Sequence, residues 1–275
     1  MKPGIYHDMT NADYHAASGV NASFLKSWVM KSPMHAVNAK SSISQLVADL
    51  GTATHSEALE PGKKNVVCSD EKTRATKAFK EHYELCKAQG KVLLPKKDFD
   101  MVKNMVHGMI TEDGEIVGGL MNDSHCGKLL KEKDKICEAS IFAYHAASGL
   151  LLKCRPDIYS PKLGVMGDVK TCQDASPRGF GKALFRLGYH IQASHYLLVA
   201  KILGWEVKHW GFLTVEKESP FPAHFHALSE EVIEYGTNVV EAALMEIAEA
   251  KETKKYDLRW GTYTVQHLPD YLADI

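Results

Sequence analysis

The chain has 275 residues, 45% of them hydrophobic and 24% charged, and its formal net charge is -1. Such a composition is typical of a globular protein with a sizeable core. No apolar stretch reaches the roughly 18 residues of a membrane span, and the polar first residues lack the apolar core of a secretory signal. We therefore expect a single domain over residues 1–275 that is cytoplasmic and has no membrane partner.

Helical spacing of apolar residues predicts helices in the first third of the chain, over residues 20–32, 44–61, 70–90 and 98–110. Asn21 and Ser23 are candidate caps for the first of these helices. The middle of the chain is rich in β-forming residues, and three runs over residues 135–146, 149–160 and 163–171 predict a three-stranded meander.

Helices and strands alternate again in the last third of the chain. The patterns predict helices over residues 176–188 and 189–204, then strands over 206–217 and 221–228, and finally a long amphipathic helix capped by Ser229. Strands enclosed by helices indicate the mixed α/β class.

Two aspartates and a lysine lie in the strand-rich middle, where buried charge is costly: Asp157, Asp168 and Lys170. Alternation along a strand places Asp168 and Lys170 on one face and Val169 on the other. If Asp157 ends the preceding strand, its carboxylate converges on the same point. Close carboxylates with oxygen donors suit Mg²⁺ or Mn²⁺, whereas a surface Asp/Lys ion pair is the ordinary alternative.

The segment "RPDIY…GDVKT" resembles the Pro-Asp…(Asp/Glu)-x-Lys signature of the restriction-endonuclease-like nuclease superfamily. "GTATHSEALEP" resembles the Gly-x-x-x-His helix of nucleases related to the RecB nuclease domain, and "QASHY" resembles their Gln-x-x-x-Tyr motif. The opening segments, with "RWGTYTVQHLPDYL" at the close, resemble the RecE-type exonuclease VIII family. The resemblance implies a PD-(D/E)xK core, a central mixed β-sheet flanked by helices.

The resemblance also implies roles for individual residues. His55, Asp157 and Asp168 become metal ligands together with the carbonyl group of Val169, and Lys170 becomes the catalytic lysine. Gln192 and Tyr196 lie four residues apart, hence on one helical face, and the family directs that face toward the catalytic site. Glu138 is a further candidate ligand, and its role is left open.

A basic stripe follows the Asp-x-Lys strand, because three basic residues are spaced by four: Arg178, Lys182 and Arg186. Such a stripe fits a phosphate backbone, and it equally fits a solvated helix face. The six scattered cysteines include no Cys-x-x-Cys pair, and none follows Cys172. They are not expected to hold zinc or the iron–sulfur cluster of some relatives.

The function that the resemblance implies is a Mg²⁺-dependent exodeoxyribonuclease, with Mn²⁺ as an alternative cofactor. It would digest linear double-stranded DNA from the 5′ end, release mononucleotides and leave 3′ tails for a RecT-type annealing protein. A ring-like homotetramer around DNA is implied as well. An endonuclease of the same fold and a catalytically silent DNA-binding subunit are the alternatives.

Overall fold

The structure is a computed structural model that describes residues 1–39 and 44–260. The α-helices in this part of the chain are α1 (Asn11–Ala16), α2 (Ala22–Met30), α3 (Pro33–Val37), α4 (Gln45–Leu59), α5 (Lys77–Ala88), α6 (Lys96–His107), α7 (Ser124–Leu130), α8 (Pro177–Arg186), α9 (Tyr189–Ile202) and α10 (Glu230–Thr253). A search of the described helices finds none with the length and apolar character of a membrane span.

The strands are β1 (Gly4–Tyr6), β2 (Val66–Ser69), β3 (Val92–Pro95), β4 (Met109–Ile110), β5 (Ile116–Val117), β6 (Ile136–Cys137), β7 (Ser140–Tyr144), β8 (Leu151–Cys154), β9 (Ile158–Ser160), β10 (Val165–Cys172), β11 (His209–Glu216) and β12 (Ala223–Ala227). The central sheet has the order β12-β11-β10-β9-β6. Strand β10 is parallel to β11, and the other neighbours are antiparallel. The predicted α/β class with a central mixed sheet is therefore confirmed.

Strand β10 lies between two layers of helices because its side chains alternate between two apolar cores. Val169 belongs to the core that contains residues of α4 and α6. Met166, three positions earlier, belongs to the core that contains residues of α8 and α9. This arrangement brings α4 and α9 to opposite faces of the strand that carries Asp168 and Lys170.

The predicted meander over residues 135–171 has the expected antiparallel pairs of neighbouring runs, but it does not form one sheet. Its second run divides into β8, which pairs with β7 in a separate sheet of order β1-β7-β8, and β9, which pairs with β10. The division falls at residues 155–157, where Pro156 has no amide hydrogen to donate to a ladder. Asp157 consequently lies where the chain passes from one sheet to the other, directly before β9.

Several predicted helix ends are corrected by the structure. Helix α5 begins at Lys77, after the Thr76 cap, and not at residue 70. Helix α6 begins at Lys96 and stops before Gly108, whose φ of 84° ends the helical geometry. The strands β2 and β3 lie in the third of the chain for which only helices were predicted. They were missed because a run of four residues is too short to show a clear period of apolar residues.

Two predicted helix caps are confirmed. The Asn21 side chain accepts a hydrogen bond from the Phe24 amide at 2.8 Å, and the Ser229 hydroxyl accepts one from the Val232 amide at 3.4 Å. Ser23 lies within the first turn of α2 and is not its cap.

Loss of the α2 cap is expected to destabilise the fold. Asn21→Ala leaves the Phe24 amide without its partner and should lower the free energy of unfolding by about 1 kcal/mol. Asn21→Asp keeps an acceptor and should lie close to the wild type. Urea unfolding followed by circular dichroism compares the three proteins, and equal midpoints for the alanine and wild-type chains would contradict the assignment.

Candidate active site

Strand β10 presents Asp168 and Lys170 on the same face. Asp168 is buried, its Oδ2 atom contacts the Lys170 ammonium group, and its Oδ1 atom accepts a hydrogen bond of 2.5 Å from the Gln192 side chain. Gln192 is itself buried and comes from α9. The neighbours of Asp168 are therefore polar, as a buried carboxylate requires.

Asp157 and His55 approach β10 beside Asp168. The Oδ2 atom of Asp157 accepts a hydrogen bond of 2.6 Å from the Val169 amide. The Nε2 atom of His55, from α4, lies 2.8 Å from the Val169 carbonyl oxygen and 3.4 Å from the same Asp157 oxygen. The structure thus brings together the four residues for which the resemblance implied metal ligation.

The charges in this group shift one another's pKa values. Burial raises the pKa of Asp157 to about 7, and the nearby Asp168 carboxylate adds to that effect. Burial alone would lower the pKa values of His55 and Lys170, but the two carboxylates outweigh it and raise both. Lys170 is therefore a cation at neutral pH, which suits charge stabilisation better than the role of a general base.

Glu138 is the residue that sequence reasoning left without a role. One ligand atom from each of His55, Glu138 and Asp157 lies within 4.8 Å of the others. Glu138 follows β6 with a left-handed φ of 54°, its amide donates to the Asp157 carbonyl at 3.3 Å, and its carboxylate accepts from Arg155 at 2.7 Å. No regular spacing links it to Asp157, so the sequence could name it as a candidate ligand but could not assign its role.

A cavity of about 330 Å³ opens beside this group, and its lining includes His55, Glu138, Asp157 and Tyr196. Tyr196 lies one turn after Gln192 on α9 and packs edge-on against Trp210, with 5.6 Å between the ring centroids. Burial raises the pKa of the Tyr196 hydroxyl well above its usual value, so this group stays protonated. Tyr196 thus contributes a neutral, protonated side chain to the lining of the cavity.

The basic stripe lies apart from the carboxylates. Arg178, Lys182 and Arg186 are exposed along α8. Within residues 1–39 and 44–260 none of the three takes part in an ion pair. Their predicted contact with DNA stays a prediction.

The donor set fits a divalent cation. The Oδ2 atom of Asp168 is buried and accepts no well-aligned hydrogen bond from any described residue, although the Lys170 ammonium group touches it. The carboxylates of Asp157 and Glu138 with the His55 imidazole match Mg²⁺ or Mn²⁺, and Asp168 lies next to this group without being one of the three residues whose ligand atoms lie within 4.8 Å of one another. A proton bridges His55 Nε2 and the Val169 carbonyl, and a cation that used this nitrogen would have to displace it.

A mixed sheet whose central strand carries Asp-x-Lys, joined by a second aspartate and a helical histidine, defines a restriction-endonuclease-like fold. The sequence from residue 21 to 262 matches the family described as "PDDEXK-like domain of unknown function (DUF3799)". The match spans most of the chain, and the protein belongs to this family. The predicted membership of the PD-(D/E)xK superfamily is confirmed.

The fold is similar to a crystal structure named "Putative exonuclease" from Eubacterium rectale. The TM-score is 0.61 at 12% sequence identity, over 98% of this chain and 99% of the other. A comparison with curated proteins gives no match. The RecE-type branch stays a prediction, and residues 261–272 of its closing motif lie outside the described residues.

The raised pKa of Asp157 predicts how stability depends on pH without divalent cations. The folded chain keeps a proton on Asp157 up to about pH 7, whereas the unfolded chain releases it near the ordinary aspartate pKa of 3.8. Stability should therefore fall as pH rises from 4 through 7, and the raised pKa of His55 acts in the same direction. Asp157→Asn should flatten this fall and stabilise the chain at pH 8 by about 2 kcal/mol.

Urea unfolding at pH 5 and pH 8 in the presence of a chelator measures this effect. Asp113→Asn, at an exposed turn between β4 and β5, is the matched control and should keep the wild-type pH dependence. A parallel pH dependence for Asp157→Asn and the wild type would show that Asp157 is not the titrating group.

Glu138 is expected to contribute to cation binding. Glu138→Gln keeps an acceptor for Arg155 but removes a charge from the ligand group, so it should weaken Mn²⁺ binding about tenfold or more. Thermal unfolding against Mn²⁺ concentration gives the apparent affinity, with the exposed Glu115→Gln as control. Equal affinities for the two variants would exclude Glu138 as a ligand.

Proposed function

We propose that the protein is a metal-dependent exodeoxyribonuclease that hydrolyses phosphodiester bonds of linear double-stranded DNA. The observation that carries the proposal is the convergence of His55, Asp157, Asp168 and Lys170, of which His55 and Asp157 line an open cavity. Membership of a PDDEXK-like family supports a nuclease. The similarity of the fold to a protein named as an exonuclease favours an exonuclease.

Lys170 supplies positive charge where a phosphate becomes more negative during attack. Its pKa is raised, so it remains an ammonium group, and its contact with Asp168 holds it at the site. Gln192 fixes the orientation of Asp168 through Oδ1, and this leaves Oδ2 directed at Lys170. These contacts preorganise the charge before DNA binds.

Asp157, Asp168 and His55 would hold the cation, with the Val169 carbonyl and Glu138 beside them. A bound Mg²⁺ or Mn²⁺ would neutralise phosphate charge and lower the pKa of water. Tyr196 keeps its hydroxyl proton and can donate a hydrogen bond into the cavity.

Finer features of the proposal rest on the RecE-type resemblance. They are digestion in the 5′ to 3′ direction, 3′ tails for a RecT-type annealing protein, a ring-like homotetramer and a cytoplasmic location. The exposed basic stripe Arg178, Lys182 and Arg186 would follow the phosphate backbone of the duplex.

The first test supplies the purified protein with Mg²⁺ and either linear duplex DNA labelled at one 5′ end or covalently closed circular DNA. The wild type should consume only the linear DNA, with early release of labelled mononucleotide. Lys170→Met should lower the rate by a factor of about 100 or more, because the ammonium charge is lost. Lys251→Met, at an exposed position of α10, is the control and should match the wild type.

Other outcomes of this test identify the alternatives. Cleavage of the circle would indicate an endonuclease, and label that is released only late would indicate the opposite polarity. DNA that binds but stays intact with Mg²⁺ and Mn²⁺ would indicate a catalytically silent binding subunit.

A further inference from the structure

A second lysine approaches the catalytic lysine from a distant part of the chain. The Tyr189 ring lies 5.2 Å from the Lys170 ammonium nitrogen and 5.6 Å from that of Lys26, measured to the ring centroid. Tyr189 is fixed by Phe180 and Phe212, whose ring centroids lie 5.9 Å and 5.3 Å away. Helix α2, which carries Lys26, therefore reaches the edge of the candidate active site.

The position of Lys26 is set by close packing of α2 on the junction between α8 and α9. A Cβ atom at Gly188 would lie 2.9 Å from Cδ of Lys26 and 2.6 Å from Sδ of Met30. Gly188 has a left-handed φ of 65°, which favours glycine. The hydrocarbon stem of Lys26 thus rests on backbone, and only its ammonium group extends toward Tyr189.

Lys26 has no anionic partner in the described part of the chain. It is half-buried, yet it forms neither an ion pair nor a hydrogen bond there. Lys153 shows the usual arrangement, since its buried ammonium group donates to three carbonyl oxygens, those of Tyr14, His15 and Ala17. The Lys26 ammonium group is therefore available to an acceptor that a ligand supplies.

The electrostatic surroundings of Lys26 favour an anion. Burial lowers the pKa of Lys26 to about 8, the positive charge of Lys170 lowers it as well, and the Asp168 carboxylate opposes both effects in part. Arg186, the last residue of the basic stripe, acts on Tyr189 as a third positive charge. Positive charge therefore continues from Lys170 past Tyr189 to the exposed face of α8.

We propose that Lys26 binds a phosphate of the DNA strand adjacent to the scissile phosphate, on the Tyr189 side of Asp168. Lys170 then acts on the phosphate that reacts, while Lys26 holds its neighbour in place. Helix α2 is thereby part of the substrate site. This inference rests on the proposed nuclease function, because its ligand is the DNA strand of that reaction.

Steady-state kinetics on linear duplex DNA test the role of Lys26. Lys26→Met should raise KM about tenfold and change kcat little, because a charged contact made in both the bound and the reacting state is lost. The slope of log(kcat/KM) against log salt concentration should become shallower by about one unit. Lys26→Arg should restore most of the lost affinity.

Lys31→Met is the matched control, because Lys31 is the exposed residue that follows α2. It should keep the KM and the salt dependence of the wild type. Thermal unfolding of every variant verifies folding. If Lys26→Met unfolds at the assay temperature, Lys26→Gln replaces it, and its KM and its salt slope are compared with those of the wild type.

Three results would overturn the inference. Equal KM and equal salt slopes for the Lys26 and Lys31 variants, with an active wild type, would remove Lys26 from the substrate site and leave the nuclease function intact. A fall in kcat with unchanged KM and salt slope would show that Lys26 acts on Lys170 and not on a phosphate. A wild type that neither binds nor digests DNA would overturn the proposed function, and this inference with it.

Discussion

The buried carboxylates of Asp157 and Asp168 repel each other, and the other residues of the site compensate for this repulsion. Each carboxylate meets its own donor, the Val169 amide for Asp157 and Gln192 for Asp168. Lys170 and His55 add positive or protonatable groups between them. Without these partners the two charges could not be ionised together in the interior.

The groups that relieve this repulsion come from both faces of the central sheet. His55 is carried by α4, which packs on the side of Val169, and Gln192 is carried by α9, which packs on the side of Met166. The site is therefore complete only when both apolar cores have formed. This dependence couples the chemistry of the carboxylates to the packing of helices that lie on opposite sides of one strand.

How much the sequence could predict depends on the range of the interaction. The shared face of Asp168 and Lys170 follows from strand alternation, and the four-residue spacing of Gln192 and Tyr196 follows from helix geometry, so both were predictable. The split of β8 from β9 was not, since it depends on which sheet each half joins. Glu138 depends on that split for its approach to Asp157.

The position of Lys26 and Tyr189 beside Lys170 could not be predicted from the sequence either, because no local sequence pattern indicates that α2 packs on Gly188. The superfamily motif located the candidate metal ligands, yet it carried no information on the helix that borders them. A single sequence therefore does not reveal those residues of a site that are placed there by packing between helices distant in the chain.

The arrangement of Lys153 ties the beginning of the chain to the metal site. Its ammonium group closes the carboxyl end of α1, and β8, which carries it, ends three residues before Asp157. Arg155, between them, donates to the Met9 carbonyl as well as to Glu138. The backbone of the first seventeen residues therefore holds the two basic side chains that precede Asp157 in the chain. A fusion or a cut within this segment would act on the position of Asp157 through these contacts.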